Sequence, residues 1–375
     1  MALLSVADLF CGTGGFSNGF EQTGVFRTAL GIDIKPASIE TFAANHRHAL
    51  AICEDIREIG IRDLADKLGG KSLDVILAGP PCQGFSSIRP YRSINENDPR
   101  NSLFEQMVLH VEFFRPHFVV FENVVGLLHH KRGATIGSIK EALQSLGYSA
   151  DIRVLNAVHF GVPQKRERVV LIARRGRVLP RFPEPTHHYN GKSMAGKLAS
   201  STPPLFSLDL PPALAINDAI SDLPPVSAGG EATEYPKNVV VSEYANARRN
   251  GCQRLTLHSS TKHTSRMLEI IRHAGSNRWA LPEGLTTSGF SSSYSRLDGD
   301  QPSTTITVNF VHPASNRCIH PIQDRALTPR EGARIQSFDD DFEFRGSRTE
   351  IVKQIGEAVP PLLGRAIADA VLAQW

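Results

Sequence analysis

Short apolar runs alternate with segments of helical period through about the first 175 residues. Two of the intervening segments read as helices: PASIETFAANH begins with a proline suited to a first turn, and SLFEQMVLHVEFF repeats apolar residues at helical intervals. The alternation predicts an α/β fold, a doubly wound and mainly parallel sheet with helices on both faces. The candidate strands are LLSVADL (3–9), FRTALGI (26–32), LDVILAG (73–79), FVVFEN (118–123) and RVVLIA (168–173).

The pattern changes near residue 180. Paired prolines with serine, threonine and glycine continue to about residue 236, and short irregular segments follow, among which KNVVVSE and PSTTITVNF are candidate strands. The final LLGRAIADAVLAQW returns to helical period. We therefore expect a sheet-forming domain over 1–182, a smaller, irregular, strand-containing domain over 183–325, and a C-terminal segment over 326–375 that returns to the first domain.

Composition narrows the class of protein. The 375 residues are 41% hydrophobic and 21% charged, with a net charge of +3, so binding of nucleic acid would depend on local basic patches. The five cysteines have neither CxxC nor Cys/His ligand spacing, which predicts no disulfide framework and no metal site. There is no basic leader and no run of about 18 apolar residues. We expect a cytoplasmic protein without a membrane-spanning segment.

Residues suited to ligand binding or catalysis follow the predicted strands, at the edge where parallel sheets bind ligands. DLFCGTGGF places Gly12 and Gly14 in a turn after the first strand, and Asp33 ends the second, where it could accept hydrogen bonds from ribose hydroxyls. The pattern indicates a nucleoside cofactor, although the glycine spacing differs from the dinucleotide motif G-x-G-x-x-G. The alternative is a plain tight turn.

Three further motifs each have a structural alternative. Cys82, in PPCQG, is predicted in a rigid turn outside its strand, where a thiol could act as a nucleophile; free cysteines also serve as small buried hydrophobes. Glu122, in ENV, ends an apolar strand and could act in a partly desolvated site or form a salt bridge. Arg166 and Arg168 alternate in QKRER, where they could hold a phosphate or carbonyl oxygen or belong to a solvated edge strand.

The order of these motifs is more specific than any one of them. F-x-G-x-G-G, an acid after the next strand, PPCQGFS, ENV, QKRER, REGARIQSF (330–338) and IGEAVPP (355–361) together resemble the cytosine-5 DNA methyltransferase family of bacterial restriction-modification systems. The match runs from Asp8 to about Gly364, apart from about 100 variable residues. It implies a Rossmann-like methyltransferase fold, a target recognition domain over 183–325, S-adenosylmethionine as cofactor and double-stranded DNA as substrate.

The resemblance also implies the reaction, methyl transfer to carbon 5 of a flipped-out cytosine through a covalent Cys82 adduct. Glu122 would bond the N3 edge of the base, Arg168 its O2 edge, and Arg166 would help to hold the loop and the base. The implied cofactor residues are Phe10, Gly12, Gly14, Asp33, Ile34, Asp55, Ile56, Pro80, Leu103 and Ala358. The implied DNA-binding residues are Gln83, Ser86 and Arg100 of the loop after Cys82, with Gln164, Arg248, Arg249, Arg254 and Lys262.

One position departs from the family pattern: Glu357 stands where asparagine is usual, and it could repel the cofactor or pair with a cation such as Arg365. We expect a monomer that is compatible with a companion restriction endonuclease. An RNA (tRNA) cytosine-5 methyltransferase and a catalytically silent DNA-binding regulator are the alternatives. The length of the region 183–325 favours DNA, because reading base edges in a duplex needs a separate domain. The glycine spacing disfavours a nicotinamide oxidoreductase.

Overall fold

The computed structural model describes residues 3–81, 103–191, 209–286 and 289–375. Within these ranges the main sheet has seven strands in the order β3-β2-β1-β4-β5-β7-β6. The first five strands are parallel to one another, whereas β7 is antiparallel to both β5 and β6. This confirms the predicted mainly parallel, doubly wound sheet. The strands are β1 Leu4–Leu9, β2 Phe26–Asp33, β3 Leu50–Cys53, β4 Val75–Ala78, β5 Phe118–Val124, β6 Tyr148–Asn156 and β7 Glu167–Arg175.

Helices cover both faces of the sheet because successive strand residues point to opposite sides. Ala7 packs in the cluster formed with α3, α4 and α5, and Val6 packs in the cluster formed with α1 and α11. The helices are α1 Gly15–Glu21, α2 Pro36–Asn45, α3 Ile61–Lys67, α4 Leu103–Phe114, α5 Ala134–Ser145, α6 Ile216–Ile220, α7 Glu243–Arg249, α8 Ser265–Arg272, α9 Pro329–Ile335, α10 Arg348–Glu357 and α11 Pro361–Leu372. Short 3-10 segments occupy Val125–Gly133, Ala157–Phe160 and Arg278–Ala280.

The second half of the chain has its own apolar core. It joins residues between Ile216 and Val311 to residues between Leu327 and Ile355, whereas α11 packs against α1 on the sheet. The segment after residue 325 therefore contributes to both parts of the molecule. The domain boundaries at 182 and 325 remain predictions. A small sheet of β8 Ser295–Arg296 and β9 Arg317–Ile319 supplies regular strands in this region.

The two candidate strands of the irregular region do not form, and the reason is local. In KNVVVSE, Val240 is 92% exposed, so the run has no core to bury its apolar side chains. In PSTTITVNF, the backbone of Ser303 instead exchanges hydrogen bonds with Pro163 and Lys165, just before β7. That contact brings the irregular region beside the QKRER motif.

Candidate active site

The carboxyl ends of β4 and β5 place the segment before Cys82 against the glutamate of ENV. Asn123 Nδ2 donates to the Pro80 carbonyl at 3.1 Å. A Cβ added to Gly79 would lie 3.5 Å from Glu122 Oε2, so the backbone passes directly over this carboxyl. Cys82 follows Pro81, and the predicted residues Cys82, Gln83, Ser86 and Arg100 lie outside the described ranges.

Glu122 and Arg168 form an ion pair at the same edge, with Arg168 Nε 2.8 Å from Glu122 Oε1. The pair exists because β7 runs antiparallel to β5, in a register that sets Arg168 opposite Val124. Both side chains are largely buried, at 13% exposure for Arg168 and 11% for Glu122. Glu122 therefore forms a salt bridge, and its partner is Arg168, the arginine predicted to act beside it.

The described contacts of Arg166 are with backbone carbonyl groups, and its side chain is 1% exposed. Nη1 donates to the carbonyls of Ile306 and Gly356 at 3.1 and 3.2 Å, and Nη2 donates to the Glu357 carbonyl at 3.2 Å. Arg166 thus links the irregular region to the end of α10, and its role toward the loop and the base stays a prediction.

Gln164 requires correction as a DNA-binding residue, because its side chain is fully buried. The Gln164 amide oxygen accepts from the Ile306 N–H at 2.8 Å, and its nitrogen donates to Gln336 Oε1. These bonds use both ends of the amide within the protein. Gln336 in turn donates to the carbonyls of Ile355 and Ala358, which ties QKRER to the IGEAVPP motif.

The predicted basic cluster of the irregular region divides into two kinds of residue. Arg248 is 8% exposed and pairs with Asp339 at 2.9 Å, and Arg249 pairs with Asp222 at 2.8 Å. Their guanidinium groups are committed to carboxylates, which corrects their prediction as DNA contacts. Arg254 and Lys262 are exposed and form no ion pair within the described ranges, so they remain candidates.

The glycine-rich turn after β1 is hydrogen-bonded to Asp33, the acid at the end of β2. Gly12 N–H donates to Asp33 Oδ2 and Lys35 N–H donates to Asp33 Oδ1, both at 2.9 Å. Burial raises the pKa of Asp33, although these two backbone bonds lower it in part. Phe10, at φ 65°, and Gly12, at φ 53°, adopt left-handed conformations that turn the chain away from β1.

The remaining predicted cofactor residues differ in accessibility. Ile34 is 61% exposed at the end of β2, whereas Ile56 and Leu103 are buried in the core. Pro80 is buried, Gly14 is buried in the turn, and Ala358 is half-buried after α10. The carboxylate of Asp55 is paired with Arg57, whose Nε and Nη2 donate at 3.0 and 2.5 Å; these bonds lower the Asp55 pKa.

Glu357 pairs with Lys35 at 2.6 Å and not with Arg365, whose nearest carboxylate is Asp369 at 4.0 Å. The bridge crosses from the C-terminal segment to the residue after Ile34. The unusual acid is thereby neutralised at the rim of the predicted cofactor site.

Sequence reasoning missed a buried acid below the glycine-rich turn. Asp8 is 2% exposed and accepts from Ser17 Oγ at 2.8 Å. Burial raises the Asp8 pKa to about 7. A polar residue inside an apolar strand was the available signal.

Two exposed cations were also missed. Lys131 and Arg132 follow β5 directly, in the segment Val125–Gly133 that contacts β7. Both have left-handed backbones, at φ 48° and 58°, and neither forms an ion pair within the described residues. Their segment connects the carboxyl end of β5 to α5.

Solved structures share this fold over nearly the whole chain. A protein described as a DNA modification methyltransferase encoded within an E. coli prophage superposes with a TM-score of 0.73 at 23% identity, covering 99% of both chains. S. pombe Dnmt2 methyltransferase gives a TM-score of 0.61 at 16% identity, covering 99% of this chain and 97% of its own.

Sequence comparisons extend this likeness from fold to family. The profile of the C-5 cytosine-specific DNA methylase family matches residues 4–373, and the chain belongs to that family. It is 35% identical to type II methyltransferase M1.HphI of Haemophilus parahaemolyticus over 98% of this chain and 87% of the relative. It is 32% identical to type II methyltransferase M.AgeI of Thalassovita gelatinovora, over 98% and 99%. The protein is a DNA (cytosine-5-)-methyltransferase, as the order of motifs predicted.

No group of three or more His, Cys, Asp or Glu side chains within the described ranges could hold a metal ion. No helix there is long and apolar enough to cross a membrane.

Proposed function

We propose that the protein transfers a methyl group from S-adenosylmethionine to carbon 5 of a flipped-out cytosine in duplex DNA, with Cys82 as the nucleophile. The observation that carries the proposal is the Glu122–Arg168 pair beneath Gly79 and Pro80. Asn123 holds the backbone at Pro80, two residues before Cys82, beside this pair. This placement supports Cys82 as a nucleophile that acts together with Glu122 and Arg168.

The pair suits the charge that develops on the base. Attack by the Cys82 thiolate forms a bond to carbon 6 and moves the ring's double-bond electrons toward carbon 5. Arg168, at the O2 edge, stabilises the negative charge that builds on the ring, and Glu122 hydrogen-bonds N3 and the exocyclic amine. Carbon 5 would then take the methyl group as its bond to the cofactor's sulfur breaks and the uncharged thioether leaves. Loss of its proton to solvent restores the double bond as the thiolate leaves.

The residues at the ends of β1 and β2 fit the proposed cofactor. A Cβ at Gly12 would meet nothing within 4 Å, so the turn faces open space, and the exposed Ile34 offers an apolar surface beside it. Asp33 is fixed by two backbone N–H groups and retains lone pairs for hydroxyl donors. The chemistry supplied by bound S-adenosylmethionine is a methyl group on a positively charged sulfur.

Duplex DNA is proposed to lie across the carboxyl edge, with residues 183–325 reading the target sequence. The exposed Arg254 and Lys262 would contact it from that region, and Lys131 and Arg132 would hold its backbone near the site. The flipped cytosine costs a few kcal/mol of stacking. We propose a monomeric enzyme that works in the cytoplasm beside a restriction endonuclease of the same specificity.

Trapping on 5-fluorocytosine tests this proposal. Bisulfite sequencing of DNA from a host expressing the protein first identifies the methylated site. A duplex carrying 5-fluorocytosine there should form a covalent adduct, because fluorine does not leave as a proton does, and peptide mapping should find it on Cys82. Cys82→Ala should form none, whereas Cys252→Ala should react normally. An adduct on any other residue would overturn the assignment.

A further inference from the structure

We propose that Gln336 is a positioning residue for the cofactor, and that through Gln164 it makes cofactor affinity depend on the irregular region. The inference rests on the proposed cofactor site. Both glutamine side chains are fully buried, at 0% exposure, so neither can touch a ligand. Their influence on binding must therefore pass through the backbone that they hold.

That backbone is the segment 355–359, where α10 ends. On one side it touches the start of α1, directly after the glycine-rich turn: a Cβ added to Gly15 would lie 2.6 Å from the Val359 carbonyl oxygen. On the other side it touches the irregular region: a Cβ added to Gly356 would lie 2.4 Å from the carbonyl carbon and oxygen of Thr307. The segment is thus packed between the proposed cofactor site and the irregular region.

The segment also carries side chains to the rim of the proposed cofactor site. Glu357 pairs with Lys35 at 2.6 Å. Burial raises the pKa of Asp33, and the charge of Glu357 raises it further, so this carboxylate acts on the acid proposed to bind the ribose. A displacement of the segment would therefore change the wall of the site and the charge beside it.

Four successive carbonyl groups of the segment accept hydrogen bonds from buried side chains. Gln336 Nε2 donates to the carbonyls of Ile355 and Ala358 at 2.8 and 3.0 Å. Arg166 donates to the two carbonyls between them, each at 3.2 Å. The last carbonyl groups of a helix have no partner within the helix, so these side chains determine how α10 ends.

A chain of amides continues from Gln336 to the irregular region. Gln336 Oε1 accepts from Gln164 Nε2, and Gln164 Oε1 accepts from the Ile306 N–H at 2.8 Å. Because a backbone carbonyl can only accept and a backbone N–H can only donate, one orientation of each amide satisfies every bond. The position of Ile306 and the position of the segment 355–359 are therefore linked.

Calorimetry of S-adenosylmethionine and S-adenosylhomocysteine binding tests the inference, at a temperature where denaturation curves show each variant to be folded. Gln336→Met removes the donor to two buried carbonyls and should bind both compounds about tenfold more weakly. Gln164→Met spares those two bonds and should weaken binding about threefold. The double variant should bind within about twofold of Gln336→Met, because the two changes break one chain.

Kinetics separate positioning from a general loss of structure. With the methylated site as duplex substrate, Gln336→Met should raise the KM for S-adenosylmethionine about tenfold, because the cofactor wall is displaced. The rate at saturating cofactor should stay within about threefold of wild type, since the Glu122–Arg168 pair is not altered. A lowered saturated rate with an unchanged KM would overturn the assignment.

Gln374→Met is the matched control. Gln374 Nε2 donates to the carbonyls of Arg181 and Ala370, and its Oε1 accepts from the Arg181 N–H, so the same change again removes two donated bonds and one accepted bond. This variant should lose stability as well, but its affinity for both compounds should stay within about twofold of wild type.

The remaining outcomes are distinct. Wild-type affinity in Gln336→Met, or an equal loss of affinity in Gln374→Met, would overturn the role of Gln336. A loss in the double variant equal to the product of the two single losses would overturn the chain of amides. If wild type binds neither compound, the proposed cofactor site itself fails, and the inference with it. Should Gln336→Met not fold, the affinity of Gln164→Met against that of Gln374→Met still decides.

Discussion

Arginine–carboxylate groups occur in two regions of the molecule, and they differ in how completely each is satisfied. At the strand edge, Arg168 meets Glu122 through one 2.8 Å contact, and both keep more than a tenth of their side chains exposed. Beneath the irregular region, Arg334 contacts Asp340 at 2.6 Å and Asp222 at 3.2 Å, with all three side chains at 0 to 1% exposure. Both groups join arginine to carboxylates, but only the pair at the strand edge is partly exposed to solvent.

The difference distinguishes a pair that can still bind a ligand from a network that only stabilises the fold. Arg330 also bonds Asp340, at 3.1 Å, and the Tyr235 hydroxyl donates to the same carboxylate, so this network has little capacity left for a ligand. Burial acts to raise the pKa of Asp340, but the Arg334 hydrogen bond and the arginine charges lower it. Glu122 still has its Oε2 turned toward Gly79 and the proposed base. An incompletely satisfied pair can serve a substrate.

The largest effect should come from breaking the buried arginine–carboxylate network, which should lower the free energy of unfolding. Arg334→Leu removes a cation and leaves Asp222 and Asp340 buried, so the free energy of unfolding should fall by about 3 to 5 kcal/mol. Urea denaturation measures it. Arg345→Leu, which breaks an exposed pair with Glu343, is the matched control and should cost no more than about 0.5 kcal/mol. Similar losses in the two variants would refute the distinction.

At the open pair the effect should appear in catalysis instead of stability. Glu122→Gln should slow single-turnover methyl transfer by about 10² to 10³-fold, because stabilisation of the developing charge is lost. The free energy of unfolding should change by less than in Arg334→Leu, since the glutamine amide oxygen can still accept a hydrogen bond from Arg168 Nε. Tritium transfer to duplex DNA measures the rate, with Glu343→Gln as control. A rate near wild type would remove Glu122 from the chemistry.

Asp8 offers the opposite case to Asp340, a buried acid whose pKa is raised to about 7. Because the protonated form is favoured in the folded state, its stabilisation is complete below the ordinary pKa and is lost as the pH rises toward 7. Wild-type stability should therefore fall by up to about 1.4 kcal/mol per pH unit between pH 4 and 7 relative to Asp8→Asn. Denaturation curves across this range measure the difference, with the exposed Asp369→Asn as control. Parallel profiles for wild type and Asp8→Asn would contradict the assignment.

The smallest effect should come from the exposed cations at the strand edge. If Lys131 and Arg132 each contact a phosphate, replacing either with alanine should flatten the salt dependence of duplex binding by about one unit. Fluorescence anisotropy at several salt concentrations measures the slope. Lys71→Ala removes the same charge before β4, at the opposite edge of the sheet, and should leave the slope unchanged. An equal change in Lys71→Ala would show a general charge effect.

Sequence periodicity revealed the strands that are buried on both faces and missed those at the edges of the sheet. LAIC in β3 is apolar but only four residues long, and β6 carries Asp151 and Arg153 on partly exposed positions, so neither gives a long apolar run. Motif order brought Glu122 and Arg168 to one edge. Their direct pairing depends on the antiparallel direction of β7, which the apolar run RVVLIA does not encode.

The buried polar residues were harder to foresee because their partners are distant in the chain. Arg166 bonds Ile306 and Gly356, which are 140 and 190 residues away, and Arg248 bonds Ser337, 89 residues away. A basic run looks the same in sequence whether it faces solvent or a set of carbonyl groups.

The aromatic contacts of Trp375 bear on how the enzyme could be tethered. Its ring lies 5.8 Å from Phe118 and 6.4 Å from Phe26, the first residues of β5 and β2, so it sits at the amino edge of the sheet. The Glu122–Arg168 pair lies at the carboxyl edge. A programmable DNA-binding module fused after Trp375 would extend from the side of the sheet opposite the proposed DNA site. This geometry suits a scaffold for locus-directed epigenetic editing.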